Sequence, residues 1–258
     1  MHLGLGKVAV VVGGASGIGL ASARLFAEEG CRVAIWDLNP PKQSFDGLTL
    51  TVDIRNSSSI EAALQETITN LGSIDHLVHA AAVGSGSYGQ PFTCVKPQQW
   101  HSVFDVNVHG MMNVAHAIAP KMMQAKLGTI VSVASVAGQI GSPSDPPYSA
   151  SKAAGINFAQ CMARDLASGG VRVNTVCPGM VKTPLNRSVW ASWQQRDPDS
   201  NTLNYEAWAD QKIKDLIPLG RWQTAEDVAD MIVFLSSNRS RQVTGQTINV
   251  DGGYVMHW

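Results

Sequence analysis

Val8-Ala9-Val10-Val11-Val12 runs directly into Gly13-Gly14-Ala15-Ser16-Gly17-Ile18-Gly19. An unbroken apolar run, four of its five residues valine, reads as a strand buried on both faces. The glycines read as a tight turn, and the pattern over 19–29, stopped by Gly30, predicts a helix behind it. Glycines let a pyrophosphate approach the backbone, and the helix start then offers free N–H groups and a positive dipole end. The spacing is Gly-x-x-x-Gly-x-Gly. It lacks the Gly-Lys-Ser/Thr of a triphosphate-binding loop and differs from the common Gly-x-Gly-x-x-Gly fingerprint.

Outward from this turn, short β-branched runs alternate with helical patterns. Further strands are predicted at 32–36, 48–52, 74–80, 128–133, 171–176 and 247–250. Helices are predicted at 57–71 (Ser and Asn as caps ahead, Gly72 behind), 100–126, 148–168 and 224–236, with Pro120 breaking or kinking the second. No strand pattern appears over 183–219. Such alternation implies parallel pairing through right-handed crossovers. The expectation is an α/β chain, one domain over 1–258: a doubly wound parallel sheet with helices on both faces.

Composition narrows the function. The chain has 258 residues, 19 Lys+Arg, 20 Asp+Glu and a formal net charge of -1. That length buries enough surface to need no staple, and the apolar fraction excludes disorder. Near-neutral charge argues against nucleic-acid or anionic-membrane partners. Cys31, Cys94, Cys161 and Cys177 have no zinc spacing, so no metal is expected; they read as buried thiols in a reducing compartment. The N-terminal segment does not read as a signal peptide, and no apolar run reaches membrane-spanning length. A cytoplasmic protein is expected.

Asp37 ends the second strand, 18 residues after Gly19. A carboxylate there accepts hydrogen bonds from ribose hydroxyls and repels a 2′-phosphate. With no Arg or Lys at Ser16, Leu38 or Asn39, it predicts NAD over NADP. Asp53 and Ile54 end the third strand, where an adenine ring can rest. Tyr148-Ser149-Ala150-Ser151-Lys152 places Tyr148 and Lys152 on one helix face. A free tyrosine titrates near ~10, and a nearby ammonium lowers that value toward use as a general base.

The glycine turn, Asp37, Asn107 in Asp105-Val106-Asn107-Val108, Ser135, Tyr148-x-x-x-Lys152 and Pro178-Gly179 together resemble the short-chain dehydrogenase/reductase family. The resemblance runs over essentially the whole chain. It implies a Rossmann fold and a hydride exchange between a nicotinamide cofactor and a secondary alcohol or ketone. Tyr148 would exchange the proton and Ser135 would hydrogen-bond the reacting oxygen. Lys152 would lower the tyrosine pKa and hold the nicotinamide ribose. Asn107 would hold a water linking Lys152 to solvent. The cofactor set would be Gly13, Ser16, Gly17, Ile18, Gly19, Asp37, Asp53, Ile54, Ala80, Ala81, Tyr148, Lys152, Pro178, Gly179, Val181 and Thr183. A homotetramer built on the 100–126 and 148–168 helices is implied as well.

Two departures stand out. Val12 replaces the family's usual Thr, and His79-Ala80-Ala81-Ala82 replaces Asn-Asn-Ala-Gly. Val12 and Ala80 read as paired apolar substitutes. His79 reads as bonding the backbone in place of the asparagine.

Residues at about 184–219 fall where the family builds its substrate lid. There Trp190, Trp193, Tyr205 and Trp208 suit stacking on a ring, while Arg187, Arg196, Lys212 and Lys214 suit an anionic group. Pro143 to Pro147 should shape a pocket wall, with Gln139 and Ser142 as polar contacts.

The leading expectation is an NAD-dependent dehydrogenase of a sugar acid, polyol or cyclic alcohol. The alternative is a reductase of 3-oxoacyl thioesters or other ketones. A non-catalytic NAD-binding scaffold is the remote third, disfavoured by the intact Ser135, Tyr148 and Lys152.

Overall fold

The computed structural model describes residues 3, 5–142, 144–196 and 203–256, except for the side chain of Arg196. Seven strands form one sheet: β1 (Val8–Val12), β2 (Arg32–Asp37), β3 (Leu48–Thr51), β4 (His76–His79), β5 (Gly128–Val133), β6 (Val171–Pro178) and β7 (Thr247–Val250). All pair in parallel, in the order β3-β2-β1-β4-β5-β6-β7. The strand order reverses between β1 and β4. In an open α/β sheet, that switch point at the strands' carboxyl ends is where a ligand crevice opens.

Helices cover both faces, as the alternation predicts. α1 (Gly17–Glu28) and the C-terminal α8 (Ala225–Ser236) pack Phe26, Ile232 and Leu235 on one face. On the other, α2 (Ser57–Leu71), α4 (Met111–Ala125) and α5 (Pro146–Leu166) bury Leu64, Ile118 and Met162. α2 spans its predicted range, because the Asn56 side chain accepts from the N–H groups of Ser58 and Ser59.

Several boundaries differ from the sequence reading. α1 begins at Gly17, so Ser16 is its N-cap, and the Ser16 hydroxyl makes no capping bond. The 100–126 stretch is interrupted at a π-helical turn, Asp105–Gly110, between α3 (Pro97–Phe104) and α4. Pro120 does not break α4; it is exposed, where water can take the carbonyl it leaves unbonded. α5 starts two residues early because Pro146 suits the first helical position.

The strandless region contains α6 (Pro184–Arg196) and α7 (Tyr205–Leu216). Their aromatics form a small core of their own around Tyr205, Trp208 and Ala209. The cysteine expectation is half corrected. Cys31 and Cys177 are buried, but Cys94, in a 3-10 turn, and Cys161, on the outer face of α5, are exposed. Among the described residues, no helix is long and apolar enough to cross a membrane.

Candidate active site

The parallel register brings the strand ends into line. Val12 pairs with Trp36 and His79, and Val133 with Val176, so Gly13, Asp37, Ala80 and Ala134 emerge along one edge. A cavity of about 790 Å³ opens there. It is lined by Gly13, Ser16, Gly17, Ile18, Gly19, Asp37, Asp53, Ile54, Ala80 and Ala81, then by Ser135, Tyr148, Lys152, Pro178, Gly179, Val181 and Thr183. Every residue of the predicted catalytic and cofactor sets except Asn107 therefore lines this one space.

The turn is built for close approach. Gly13 has φ +77, and a Cβ on it would lie 2.5 Å from the Ala81 nitrogen. A Cβ on Gly19 would lie 2.1 Å from the Gly13 carbonyl oxygen. Only glycine fits either place, which leaves the α1 start open to a phosphate. The donor set fits a dinucleotide. Thr183 faces Gly17 across the cavity, with its Cγ2 3.5 Å from where a Gly17 Cβ would be.

At the other end, the Asp37 carboxylate accepts from the N–H groups of Ala15 at 3.0 Å and Asn39 at 3.1 Å. That pins the carboxylate to the turn's rim, within reach of a ribose. Asp53 is held by Arg55 through two side-chain bonds of 2.9 and 2.7 Å, which keep its carboxyl below its ordinary range. Arg55 also lines the cavity. The sequence reading missed this cation because it searched only the glycine turn and the end of β2. Arg55 comes from the segment after β3, brought alongside by the pairing of β2 with β3.

The chemistry-bearing end is organised by β5 and α5. Ser135 follows β5 and caps a 3-10 turn, its Oγ accepting from the Ala137 N–H at 3.1 Å. It lines the cavity together with Tyr148 and pulls the tyrosine pKa down. The Lys152 ammonium donates to the Val133 carbonyl at 2.8 Å and lies 5.4 Å from the centre of the Tyr148 ring. Burial lowers the Lys152 pKa to about 8. Burial also pushes Tyr148 well above its ordinary value, against the lowering pull of Ser135. Desolvation is the largest influence on the Tyr148 hydroxyl.

Asn107 sits in the π-helical turn, buried beneath the cavity. Its amide donates to the Val83 carbonyl and the Ser151 hydroxyl, both at 2.9 Å, and its oxygen accepts from the Val83 N–H at 2.8 Å. Ser151 in turn donates to the Tyr148 carbonyl at 2.7 Å. With both amide hydrogens engaged, the side chain ties the β4 exit to α5.

The β4 departures resolve differently. The Ala80 N–H donates to the Val12 carbonyl at 2.8 Å, and both side chains pack in apolar surroundings, so the main chain closes the exit without the family's polar side chains. His79 does not bond the backbone as expected. Neither ring nitrogen has a partner among the described residues, and burial lowers its pKa to about 3, so it is neutral.

The lid expectations are corrected too. Trp190, Trp193, Tyr205 and Trp208 stack on one another instead of lining the cavity. Arg187 lies 4.4 Å over the Tyr205 ring and Lys212 4.5 Å over that of Trp208. Lys214 is exposed, and the side chain of Arg196 lies outside the described residues. Gln139 donates to Asn249 at 2.7 Å and lines no part of the cavity. Ser142 also stands outside the lining, and Pro143 lies outside the described residues.

What remains at the substrate end is Val83, Gly84, Tyr88, Leu185, Asn186, Ser188 and Val189. Asn186 is steadied by the Tyr205 hydroxyl, which donates to its Oδ1 at 3.0 Å. Tyr88 carries no sequence signal, and Asn186 lies in the stretch read as the lid, where the aromatics and cations stand out instead.

Comparisons with known proteins agree with this geometry. A family model described as enoyl-(acyl carrier protein) reductase matches residues 13–255. A 3-oxoacyl-[acyl-carrier-protein] reductase of Thermotoga maritima is 33% identical over 97% of this chain and 98% of its own length. One from Chlamydia muridarum is 33% identical over 96% of each. The ligand-free aldohexose dehydrogenase of Thermoplasma acidophilum superposes with a TM-score of 0.84 at 28% identity, covering 96% of this chain and 93% of that one. With the glycine turn and the Ser135-Tyr148-Lys152 set on one sheet edge, the chain belongs to the short-chain dehydrogenase/reductase family of oxidoreductases.

Proposed function

We propose that this protein reduces a ketone to a secondary alcohol at the expense of a reduced nicotinamide cofactor. The observation that carries the reading is the convergence of Ser135, Tyr148 and Lys152 on the cavity that the glycine turn also lines. A protonated tyrosine is a general acid, which is what carbonyl reduction requires. The named reductases among its relatives favour the same direction, and so the 3-oxoacyl or other ketone alternative, over the oxidation of a sugar acid, polyol or cyclic alcohol.

In this mechanism the substrate carbonyl oxygen sits between the hydroxyls of Ser135 and Tyr148. Ser135 donates to the oxygen as negative charge develops on it. Tyr148 delivers the proton. Lys152, with its ammonium below the tyrosine ring, steadies the phenolate left behind and holds the ribose hydroxyls. Asn107 keeps the α5 start and the β4 exit in register. The bound cofactor supplies the hydride.

Asp37 favours NADH, since its carboxylate occupies the rim that a 2′-phosphate would need. Arg55 is the one observation favouring NADPH, and its guanidinium is already engaged by Asp53. The active form is a homotetramer, which light scattering would check. The deciding experiment follows absorbance at 340 nm with NADH and NADPH against 3-oxoacyl esters and thioesters, cyclic ketones and sugars. Consumption of NADH by one ketone class is the expected result. No consumption of either cofactor, with cofactor binding intact, refutes the reading.

A further inference from the structure

Asp145 stands three residues before Tyr148 at the N-cap of α5, yet its side chain caps nothing there. An aspartate at this position ordinarily turns back to the first helical N–H groups. Here it turns the other way. Its Oδ2 accepts from the Ser85 N–H at 2.9 Å, and its Oδ1 is buried with no hydrogen-bond partner among the described residues. The residue is only 4% exposed. A buried carboxylate oxygen without a partner is costly, and such breaches of local rules concentrate where a site demands them.

Its surroundings place it behind the substrate end of the cavity. A Cβ on Gly84 would lie 2.6 Å from the Tyr88 hydroxyl and 2.9 Å from Asp145 Oδ2, so both oxygens converge on one backbone position. Gly84 and Tyr88 line the cavity next to Ser135 and Tyr148. The carboxylate is felt across this space, for it contributes to raising the pKa of both Tyr88 and Tyr148. Among the described residues, no lid cation lines the cavity. The lid's Arg187 and Lys212 sit on aromatic faces, and among the described lining residues the cations are Lys152, under Tyr148, and Arg55, at the adenine end.

We infer that Asp145 is a specificity-determining residue: its buried carboxylate, set behind Gly84 and Tyr88, makes the site select uncharged ketones and reject those carrying a carboxylate near the reacting carbonyl. This rests on the proposed ketone reduction and names its substrate class. The selection is by repulsion, a like charge placed against the wrong partner in a space too dry to screen it.

The test compares acetoacetate with its ethyl ester and its N-acetylcysteamine thioester, which share the reacting carbon. The intact protein should reduce the ester and thioester and leave the acid at least about tenfold behind in kcat/KM. Asp145→Asn keeps an oxygen for the Ser85 N–H and removes the charge. It should raise the acid-to-ester ratio of kcat/KM by about tenfold, a ratio that a merely structural defect would not move. Equal use of acid and ester by the intact protein overturns the inference, with no variant needed. So does an Asp145→Asn ratio within twofold of the original.

If none of the three is reduced while NADH binds, the acetoacetyl class falls, and the proposed ketone reduction falls with it when NADPH, cyclic ketones and sugars are silent too. The charge selection is then read from binding of acetoacetate against acetoacetamide to the NADH complex, followed by fluorescence. Preference for the amide supports the inference, and equal or stronger binding of the acid overturns it.

Discussion

Replacing Gly13 by alanine separates two reasons for a glycine at the end of β1. The backbone there has φ +77, a left-handed conformation that costs a residue with a Cβ about 1–2 kcal/mol. The added methyl would also lie 2.5 Å from the Ala81 nitrogen, 2.6 Å from the Ala81 Cα and 2.9 Å from the Ala80 carbonyl carbon. Comfortable carbon contacts are about 3.5–4.0 Å, so the β4 exit must retreat by about 1 Å. Such overpacking costs a further 1–3 kcal/mol or so, for a total of about 2–5 kcal/mol. Gly6 is the matched control. Its φ is +79, and nothing lies within 4 Å of its Cβ position. Gly6→Ala should therefore cost no more than about 1–2 kcal/mol. Urea denaturation measures both losses, and NADH fluorescence titration reads the site. Because Ala80 and Ala81 line the cavity, Gly13→Ala should weaken NADH binding by at least about tenfold, while Gly6→Ala leaves it in place. Equal stability losses in the two variants, with equal NADH affinity, would refute the close-approach argument.

Three further outcomes follow from the site. Tyr148→Phe keeps the ring and removes the proton donor, so kcat should fall by about 10²–10⁴ with NADH affinity nearly retained; stopped-flow and titration check both, and a rate within tenfold would remove Tyr148 from proton transfer. Asp37→Ala should lower NADH affinity by about 10–100-fold and NADPH affinity far less, and an unchanged ratio would end the role of Asp37 in cofactor choice. Lys152 titrates near pH 8 in the folded chain against 10.5 as its ordinary value, so the unfolded chain binds its proton more tightly between those limits and the folded chain gains stability as pH rises through them. Relative to Lys152→Met, the intact protein should gain on the order of 3 kcal/mol between pH 8 and 10.5, and parallel stability–pH curves would contradict the burial of that ammonium.

Much of this was legible in the chain itself. The β1 run, the glycine turn and the capped α2 depend on neighbours along the sequence, since apolar period and turn chemistry are local properties. The Tyr148–Lys152 spacing is likewise local, set by one helical turn. So the parallel sheet and the residues that line its cavity could be named beforehand. The lid was misread for the opposite reason. Tryptophans and cations in one stretch look equally ready for a ligand or for each other, and only packing decides; here Tyr205 takes Arg187 on its face and fixes Asn186 with its hydroxyl.

Other features belong to the tertiary structure alone. Arg55 reaches the cavity because β2 and β3 pair in register, bringing the segment after β3 beside Asp37. The raised pKa of Tyr148 comes from its burial, which no spacing rule reports. His79 is buried with neither ring nitrogen bonded among the described residues, while His76 on the same strand meets the Thr129 hydroxyl, a difference that packing alone decides. Asp145 stands at the N-cap of α5, yet the fold turns its side chain onto Ser85, 60 residues away. Sequence determined which elements form and which groups carry the chemistry, because those depend on residues a few positions apart. Charge state, lid packing and substrate selectivity depend on which distant residues are desolvated together, and only the folded chain decides that.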